Sequence, residues 1–150
     1  MDEDTEETRR RLEVLCRQGA IDLASCAIAD LEAVLLAQCL LEVKVPLKFV
    51  HLGANSISDE GIMALAQGLS AHPEVEELYL GSNLFSSQGF SVLCPLLPPS
   101  LKALSLSGAM LSDPDIMHLC EFLLSLATPK LKHLYLNGNS MTDEGLQTLV

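Results

Sequence analysis

The chain has 150 residues, of which 49% are hydrophobic and 4% aromatic, and its 20 acidic and 9 basic residues give a formal net charge of −11. This length and apolar content predict one structural unit with a sizeable core, and the acidity argues against a surface for nucleic acid or anionic membranes. The start of the chain lacks the basic and apolar regions of a signal peptide and no apolar run reaches membrane-spanning length, so we expect a cytoplasmic or nuclear protein.

The first predicted element is a helix over residues 5–17. Leu12, Leu15 and Cys16 form its apolar stripe, and Gly19 suits the C-terminal cap. Three pairs lie four residues apart with the acid first, which is the favourable order: Glu6–Arg10, Glu7–Arg11 and Glu13–Arg17. These pairs favour a solvated helix face over a nucleic-acid or targeting patch. Residues 1–17, with their acidic start, are therefore predicted to cover the N-terminal end of the unit that follows.

From residue 18 onwards one sequence frame repeats, with starts near residues 18, 47, 75, 101 and 131. The copy that begins at Leu47 has the order L-x-x-L-x-L-x-x-N-x-I-x-D-x-G, with valine in the second leucine position. A fixed period of this size predicts a solenoid in which neighbouring repeats bury each other's apolar faces. We predict about five repeats over residues 18–150, the last one incomplete.

The frame and its period resemble the ribonuclease-inhibitor-like class of leucine-rich repeat proteins. The resemblance implies a short curved α/β solenoid, a segment of a horseshoe, with a parallel sheet on the concave face and helices on the convex face. It also implies a protein partner, because partners of this class usually dock on the concave sheet. Members bind unrelated partners, so the fold does not identify this one.

Each repeat is predicted to close with a helix, at about 30–42, 60–70, 87–97, 114–126 and 143–150. The third helix contains Pro95, which removes a backbone donor and crowds the preceding turn, so we expect it to be short or kinked. Asp59, Asp113 and Asp143 stand where the N-caps of their helices are expected.

The asparagine of the frame comes where each strand ends, and its amide can bond backbone groups of its own turn and of the adjacent one. We predict a ladder from Asn55 to Asn83 to Asn139. Cys26 and Ala109 depart from it. Because alanine has no polar side-chain atom, the rung at Ala109 is expected to be weak.

Side chains alternate along a strand, so the residues between the frame leucines face away from the core. Aligning the repeats gives three rungs: Phe49, Glu77, Ala103 and His133; His51, Tyr79, Ser105 and Tyr135; Gly53, Gly81, Ser107 and Asn137. Tyrosine is enriched at interface hot spots, although strands favour aromatic residues in any case. We predict a partner-binding site made of Phe49, His51, Glu77, Tyr79, Ser105, His133, Tyr135 and Asn137. No basic residue lies between Lys48 and Lys102, which favours a basic partner.

No catalytic motif accompanies these repeats. The sequence lacks a nucleophile elbow, a phosphate-binding loop, a dinucleotide fingerprint and a zinc-protease motif. Neither His51 nor His133 is expected to have an acid or a nucleophile in its rung. We therefore expect a protein that is not an enzyme and that needs no cofactor.

The five cysteines fit a reducing compartment. Cys94 and Cys120 align with alanines at a small buried position of the helices, and Cys26 takes a ladder position, so we expect all three to serve in packing. No cysteine or histidine spacing predicts a metal site.

Two other functions stay open. The last predicted strand and helix, residues 131–150, carry apolar residues where solenoids normally end in a polar cap, so the chain is expected to be a fragment or to associate through this end, with itself or with a larger assembly. The third candidate is a regulator that stimulates a small GTPase, as some members of the class do. A turnover assay would test it.

Overall fold

The structure, a computed structural model, describes residues 2–149. The helices are α1 (Glu3–Arg17), α2 (Asp30–Glu42), α3 (Asp59–Ser70), α4 (Ser87–Leu93), α5 (Asp113–Ser125) and α6 (Asp143–Leu149). The strands are β1 (Ala20–Asp22), β2 (Phe49–His51), β3 (Glu77–Tyr79), β4 (Ala103–Ser105) and β5 (His133–Tyr135). Met1 in the predicted acidic start and Val150 in the last predicted helix lie outside the described residues. None of the helices in this range is both long and apolar enough to cross a membrane.

The five strands form one parallel sheet in the order of the sequence, and a helix follows each strand, so the predicted α/β solenoid is confirmed. We number the repeats 1 to 5 after their strands. The pairing follows the predicted rungs: Phe49 pairs with Glu77, Glu77 with Ala103, and Ala103 with His133. The sheet lies on one side of the core, which is filled by the frame leucines and by the inner faces of the helices.

Helix α1 packs against α2 and β1 at the N-terminal end of the sheet. Leu12 and Cys16 are buried in the core, and all three predicted Glu–Arg pairs form on the outer face. Sequence analysis missed a further pair, in which the Arg9 guanidinium donates to both carboxylate oxygens of Glu42 at 2.9 and 2.7 Å. This pair joins α1 to the end of α2.

The asparagine ladder forms, and each amide reaches back to the preceding repeat. The Asn83 Oδ1 accepts from the Ile57 N–H at 3.0 Å, and its Nδ2 donates to the carbonyls of Leu52 and Leu80, each at 2.9 Å. Asn55 makes the matching bonds at the junction between repeats 1 and 2, and Asn139 makes them at the junction between repeats 4 and 5. Each amide therefore satisfies the backbone groups of two neighbouring turns.

The predicted aspartate caps are wrong in detail. The N-caps of α3 and α5 are Ser58 and Ser112, and the aspartate is the first helical residue. Its carboxylate instead caps the helix of the next repeat: Asp59 accepts from the Ser86 N–H and hydroxyl, both at 2.7 Å, and from the Gly89 N–H at 3.0 Å. The Asp59 side chain extends toward the following repeat, so these bonds cross the junction.

The glycine of the frame makes this crossing possible. A Cβ on Gly89 would lie 2.5 Å from the Asp59 Oδ1 and 3.1 Å from its Cα. Gly61 stands in the same relation to Asp30, and Gly145 to Asp113. The frame's D-x-G therefore describes two sides of one contact between neighbouring repeats rather than one local turn.

Helix α4 is short, as Pro95 predicts. It ends at Leu93, and the chain tightens into a 3-10 helix over Cys94–Leu96. The helix layer between repeats 3 and 4 is therefore the thinnest part of the solenoid.

The cysteine predictions hold only in part. Cys94 is buried as expected, whereas Cys120 is half-buried and Cys26 is exposed, so packing is the wrong role for Cys26. Its backbone N–H donates to the Asn55 Oδ1, which leaves the thiol outside the core. Burial raises the pKa of the Cys16 thiol to about 12 and that of the Cys94 thiol to about 11.

Candidate functional site

The predicted site lies on the open face of the sheet. Because each strand contributes only three residues, the side chains before and after the central leucine form two continuous rows across the repeats. The structure extends these rows by one strand, pairing Ala20 with Phe49 and Asp22 with His51. Parallel pairing in register is what brings residues that are about 28 positions apart in the sequence into contact.

Three ring side chains on β2 and β3 form a contiguous group, which we call the concave aromatic cluster: Phe49, His51 and Tyr79. The Phe49 and Tyr79 ring centroids are 5.7 Å apart at an interplanar angle of 50°, and those of His51 and Tyr79 are 5.1 Å apart. Tilted rings at these separations are favourable aromatic contacts. All three side chains are half-buried, so their exposed faces are available to a partner.

Glu77 is fixed beside this cluster. The Tyr79 hydroxyl donates to the Glu77 Oε1 at 2.8 Å. This hydrogen bond, together with partial burial, raises the pKa of Tyr79 above its ordinary value. The tyrosine therefore stays a neutral donor at physiological pH, and the Glu77 Oε2 has no hydrogen-bond partner in the described chain.

His51 has an acidic neighbour that sequence analysis missed. Its Nδ1 lies 3.6 Å from the Asp22 Oδ1, in the same rung, so the expectation that His51 has no acid there is wrong. The signal was present in the sequence, since Ile21 and Leu23 keep the frame in the first repeat and place Asp22 opposite His51. Asp22 belongs to a degenerate copy of the frame that the predicted rungs do not include.

Three residues of the third predicted rung form the floor of a small depression beside the cluster: Gly53, Gly81 and Ser107. It has a volume of about 320 Å³, and its lining includes His51, Gly53, Tyr79, Gly81 and Ser107. A Cβ on Gly81 would lie 2.6 Å from the Ser107 carbonyl oxygen, so a larger residue there would force the strand ends apart. The glycines thus keep this end of the sheet closed and leave the depression open above it.

The remaining predicted site residues lie apart from the aromatic cluster. His133 and Tyr135 on β5 stack with ring centroids 6.5 Å apart, and both are exposed. Asn137 accepts a hydrogen bond from the Ser107 hydroxyl at 2.7 Å. Ser105 lies between the two aromatic groups in the rung of Tyr79 and Tyr135.

The convex face offers one competing depression. It has a volume of about 500 Å³ and lies where α4 ends early beside α5, with Cys94, Pro95 and Phe122 among its lining residues. His118 and Glu121 at its rim are 3.7 Å apart. Within residues 2–149, no group of three or more histidine, cysteine, aspartate or glutamate side chains is placed to hold a metal ion.

Sequence comparisons place the chain among repeat proteins. A family model described as Leucine Rich repeat matches residues 45–66 and 128–150. The ribonuclease inhibitor of Sus scrofa is 30% identical over 135 residues, which cover 85% of this chain and 28% of that protein. NACHT, LRR and PYD domains-containing protein 3 of Homo sapiens is 28% identical over 132 residues, covering 86% of this chain and 12% of that protein. The chain thus spans less than a third of the length of these curated relatives.

Two solved structures share the fold over nearly the whole chain. The actin-binding site 2 of leiomodin-1 matches with a TM-score of 0.71 at 16% identity, over 99% of this chain and 87% of that one. The C-terminal domain of tropomodulin from Caenorhabditis elegans matches with a TM-score of 0.74 at 14% identity, over 97% and 89%. At these identities the likeness concerns the fold.

Proposed function

We propose that this chain, a leucine-rich repeat protein of the ribonuclease-inhibitor-like class, is a protein-interaction module that binds its partner through the concave face and catalyses no reaction of its own. One relative, the Sus scrofa protein that is 30% identical, is by its name an inhibitor of ribonuclease, and this supports a binding role.

The observation that carries this proposal is the concave aromatic cluster with Glu77 and Asp22 beside it. Exposed ring faces next to fixed polar groups are typical of interface hot spots, where tyrosine contributes both apolar area and a hydrogen-bonding group. The surface is part of a rigid sheet, so a partner would not have to order it on binding.

Alanine substitutions on the two faces test this proposal. Tyr79→Ala and Tyr135→Ala should weaken capture of a partner from extract while leaving the melting temperature nearly unchanged, because both rings lie outside the core. Capture is measured by pull-down and mass spectrometry, comparing the same partner band across variants of equal folded content.

Glu121→Ala on the convex helix α5 is the matched control, because Glu121 is a rim residue of the competing depression. It should capture as well as the native chain. If Glu121→Ala weakens capture and the tyrosine changes do not, the convex face is the binding surface and the proposal is wrong.

A second candidate function is assembly with another copy through residues 131–149. In the described chain, β5 has a neighbouring strand on one side only, and Tyr135 and Leu146 are 46% and 51% exposed. A strand edge with unpaired backbone groups is a template for pairing with another chain. Size-exclusion chromatography with light scattering tests this candidate, and a monomer at high concentration with slow hydrogen exchange across 131–149 would exclude it.

We also propose a cytoplasmic or nuclear location. The cysteines of the described chain are all unpaired, and Cys16 and Cys39 are buried as thiols, as a reducing compartment allows. Fluorescence microscopy of the tagged full-length protein tests this location.

A further inference from the structure

We propose that the concave aromatic cluster, together with Glu77, binds an arginine side chain of the partner. We call these residues the arginine seat. This inference rests on the proposed function, because it names the chemistry that the same face would recognise. The occupant is an exposed partner segment in which a guanidinium group stands beside apolar atoms.

The charge of the strand face selects a cation. Its rungs contain Asp22 and Glu77 but no lysine or arginine, in a chain of formal net charge −11. The nearby Lys48 and Lys102 lie at the N-terminal ends of their strands, and their ammonium groups face Glu76 at 4.0 and 2.7 Å. An approaching cation therefore meets the Glu77 carboxylate, which forms no salt bridge in the part of the chain that the structure describes.

Glu77 is already oriented to receive such a group. Its Oε1 is held by the Tyr79 hydroxyl at 2.8 Å, and its Oε2 has no hydrogen-bond partner within residues 2–149. A carboxylate with one fixed oxygen keeps its plane and loses little freedom on binding. The planar fork of a guanidinium matches a carboxylate in two parallel hydrogen bonds, which a lysine ammonium does not.

The rings supply the second half of the seat. The Phe49 and Tyr79 rings lie side by side with their centroids 5.7 Å apart, and both are half-buried, so part of each ring is exposed. Guanidinium groups stack on aromatic faces through cation–π attraction, which strengthens when the site is partly shielded from water. His51 and the depression of about 320 Å³ beside it leave room for the residue that follows the arginine.

A pair of small probes tests the seat directly. The full-length, isotope-labelled chain is titrated by NMR with N-acetyl-arginine amide and with N-acetyl-citrulline amide, which has nearly the same shape but no charge. The arginine probe should shift the ring resonances of Phe49, His51 and Tyr79 saturably. The citrulline probe should bind at least about fivefold more weakly, because it lacks the charge-assisted and cation–π contacts.

Glu77→Gln keeps the size and the bond from Tyr79 but removes the charge, and it should weaken arginine-probe binding by a factor of about five or more. Glu121→Gln on the convex face is the matched control and should bind the probe as the native chain does. Equal binding of citrulline, an unchanged affinity in Glu77→Gln, or shifts confined to His118 and Phe122 would each overturn the seat.

The two proposals fail in different ways. If Tyr79→Ala loses the captured partner while the arginine probe does not bind, the seat is wrong and the concave binding face stands. If Tyr79→Ala and Tyr135→Ala both retain the partner, the concave face is not the site and the seat is overturned with it.

Discussion

Two neighbouring junctions of the solenoid are built from the same frame but held together differently. The first lies between repeats 2 and 3, and the second lies between repeats 3 and 4. At the first, the Asn83 amide bonds both turns, Asp59 caps the next helix, and the Leu84 N–H donates to the Ile57 carbonyl at 2.8 Å. At the second junction, Ala109 has no side-chain amide. The residues that correspond to Leu84 and Ile57 are Met110 and Phe85, and no hydrogen bond within residues 2–149 joins the Met110 N–H to the Phe85 carbonyl.

At the second junction the linking carboxylate belongs to repeat 4, whereas at the first junction it belongs to the earlier of the two repeats. The position of Asp59 is occupied by Ser87, and the position of Gly89 is occupied by Asp115. The Ser87 hydroxyl donates to the Asp115 Oδ2 at 2.5 Å, and the same oxygen accepts from the Ser112 N–H at 2.9 Å. One buried carboxylate thus still links the two repeats, but it belongs to the later repeat and caps its own helix.

This difference shows that a repeat can lose the frame's polar residues and keep its place through the apolar core. Leu80 and Leu106 are both fully buried, so the leucines continue across the junction where the amide ladder stops. Repeat proteins are stabilised by the sum of their neighbour interfaces, so the junction between repeats 3 and 4 should be the weaker one.

The largest expected effect tests the continuous core. Leu80→Ala and Leu106→Ala should each lower the free energy of unfolding by about 2–5 kcal/mol, because each leaves a cavity beneath the sheet. Chemical denaturation measures both. Losses below about 1 kcal/mol at either site would mean that the core does not continue across the weaker junction.

The next effect concerns the amide ladder. Asn83→Ala should cost about 1–3 kcal/mol, because it leaves the Ile57 N–H and the Leu52 carbonyl without their buried partner. Asn139→Ala, at the junction between repeats 4 and 5, is the matched variant and should lose a similar amount. If both variants have the same free energy of unfolding as the native chain in denaturant, the loss of the amide at Ala109 does not explain a weaker junction between repeats 3 and 4.

Because a carboxylate at position 115 replaces the one expected at position 87, substitutions at Ser87 and Asp115 should be strongly coupled in their effect on stability. Ser87→Asp should destabilise by about 1–2 kcal/mol because it places two carboxylates together, and Asp115→Gly should cost a similar amount because it removes the cap. The double variant restores the frame of the other junctions and should lie within about 0.5 kcal/mol of the native chain. Additive losses in the double-mutant cycle would contradict this account.

The smallest effect is a dependence on pH. Burial alone would raise the pKa of Asp59, but the bonds from Ser86 and Gly89 hold the pKa below its ordinary value. A group with a lowered folded pKa stabilises the protein above its unfolded pKa and loses that contribution as the pH falls through the folded value. Stability should therefore decline below about pH 4, the ordinary aspartate range.

Asp59→Asn should flatten this decline, since the asparagine has no charge to lose. Thermal melts between neutral and acidic pH compare the variant with the native chain. An equal slope for the two proteins would show that the bond across the stronger junction does not depend on the carboxylate charge.

The sequence by itself determined the repeat period, the register of the rungs and the short helix at Pro95. It also gave the bounds of the helices to within about two residues, except at the end of α4, which was expected at residue 97 and lies at Leu93. These follow from local rules, because apolar spacing decides which side chains are buried and proline removes a backbone donor wherever it stands. The asparagine ladder was predictable too, because the frame places each amide where its strand ends, within reach of its own turn and of the adjacent one.

Only the tertiary structure decided which groups meet across a junction. It assigned the Asp59 carboxylate to the helix of the next repeat, and it placed the Asp115 carboxylate against Ser87 of the preceding repeat. These contacts join residues roughly 28 positions apart, and their geometry depends on how side chains lean along the stack rather than on any local preference. A repeating sequence states which residues recur, whereas the stacking of its copies decides which of them touch.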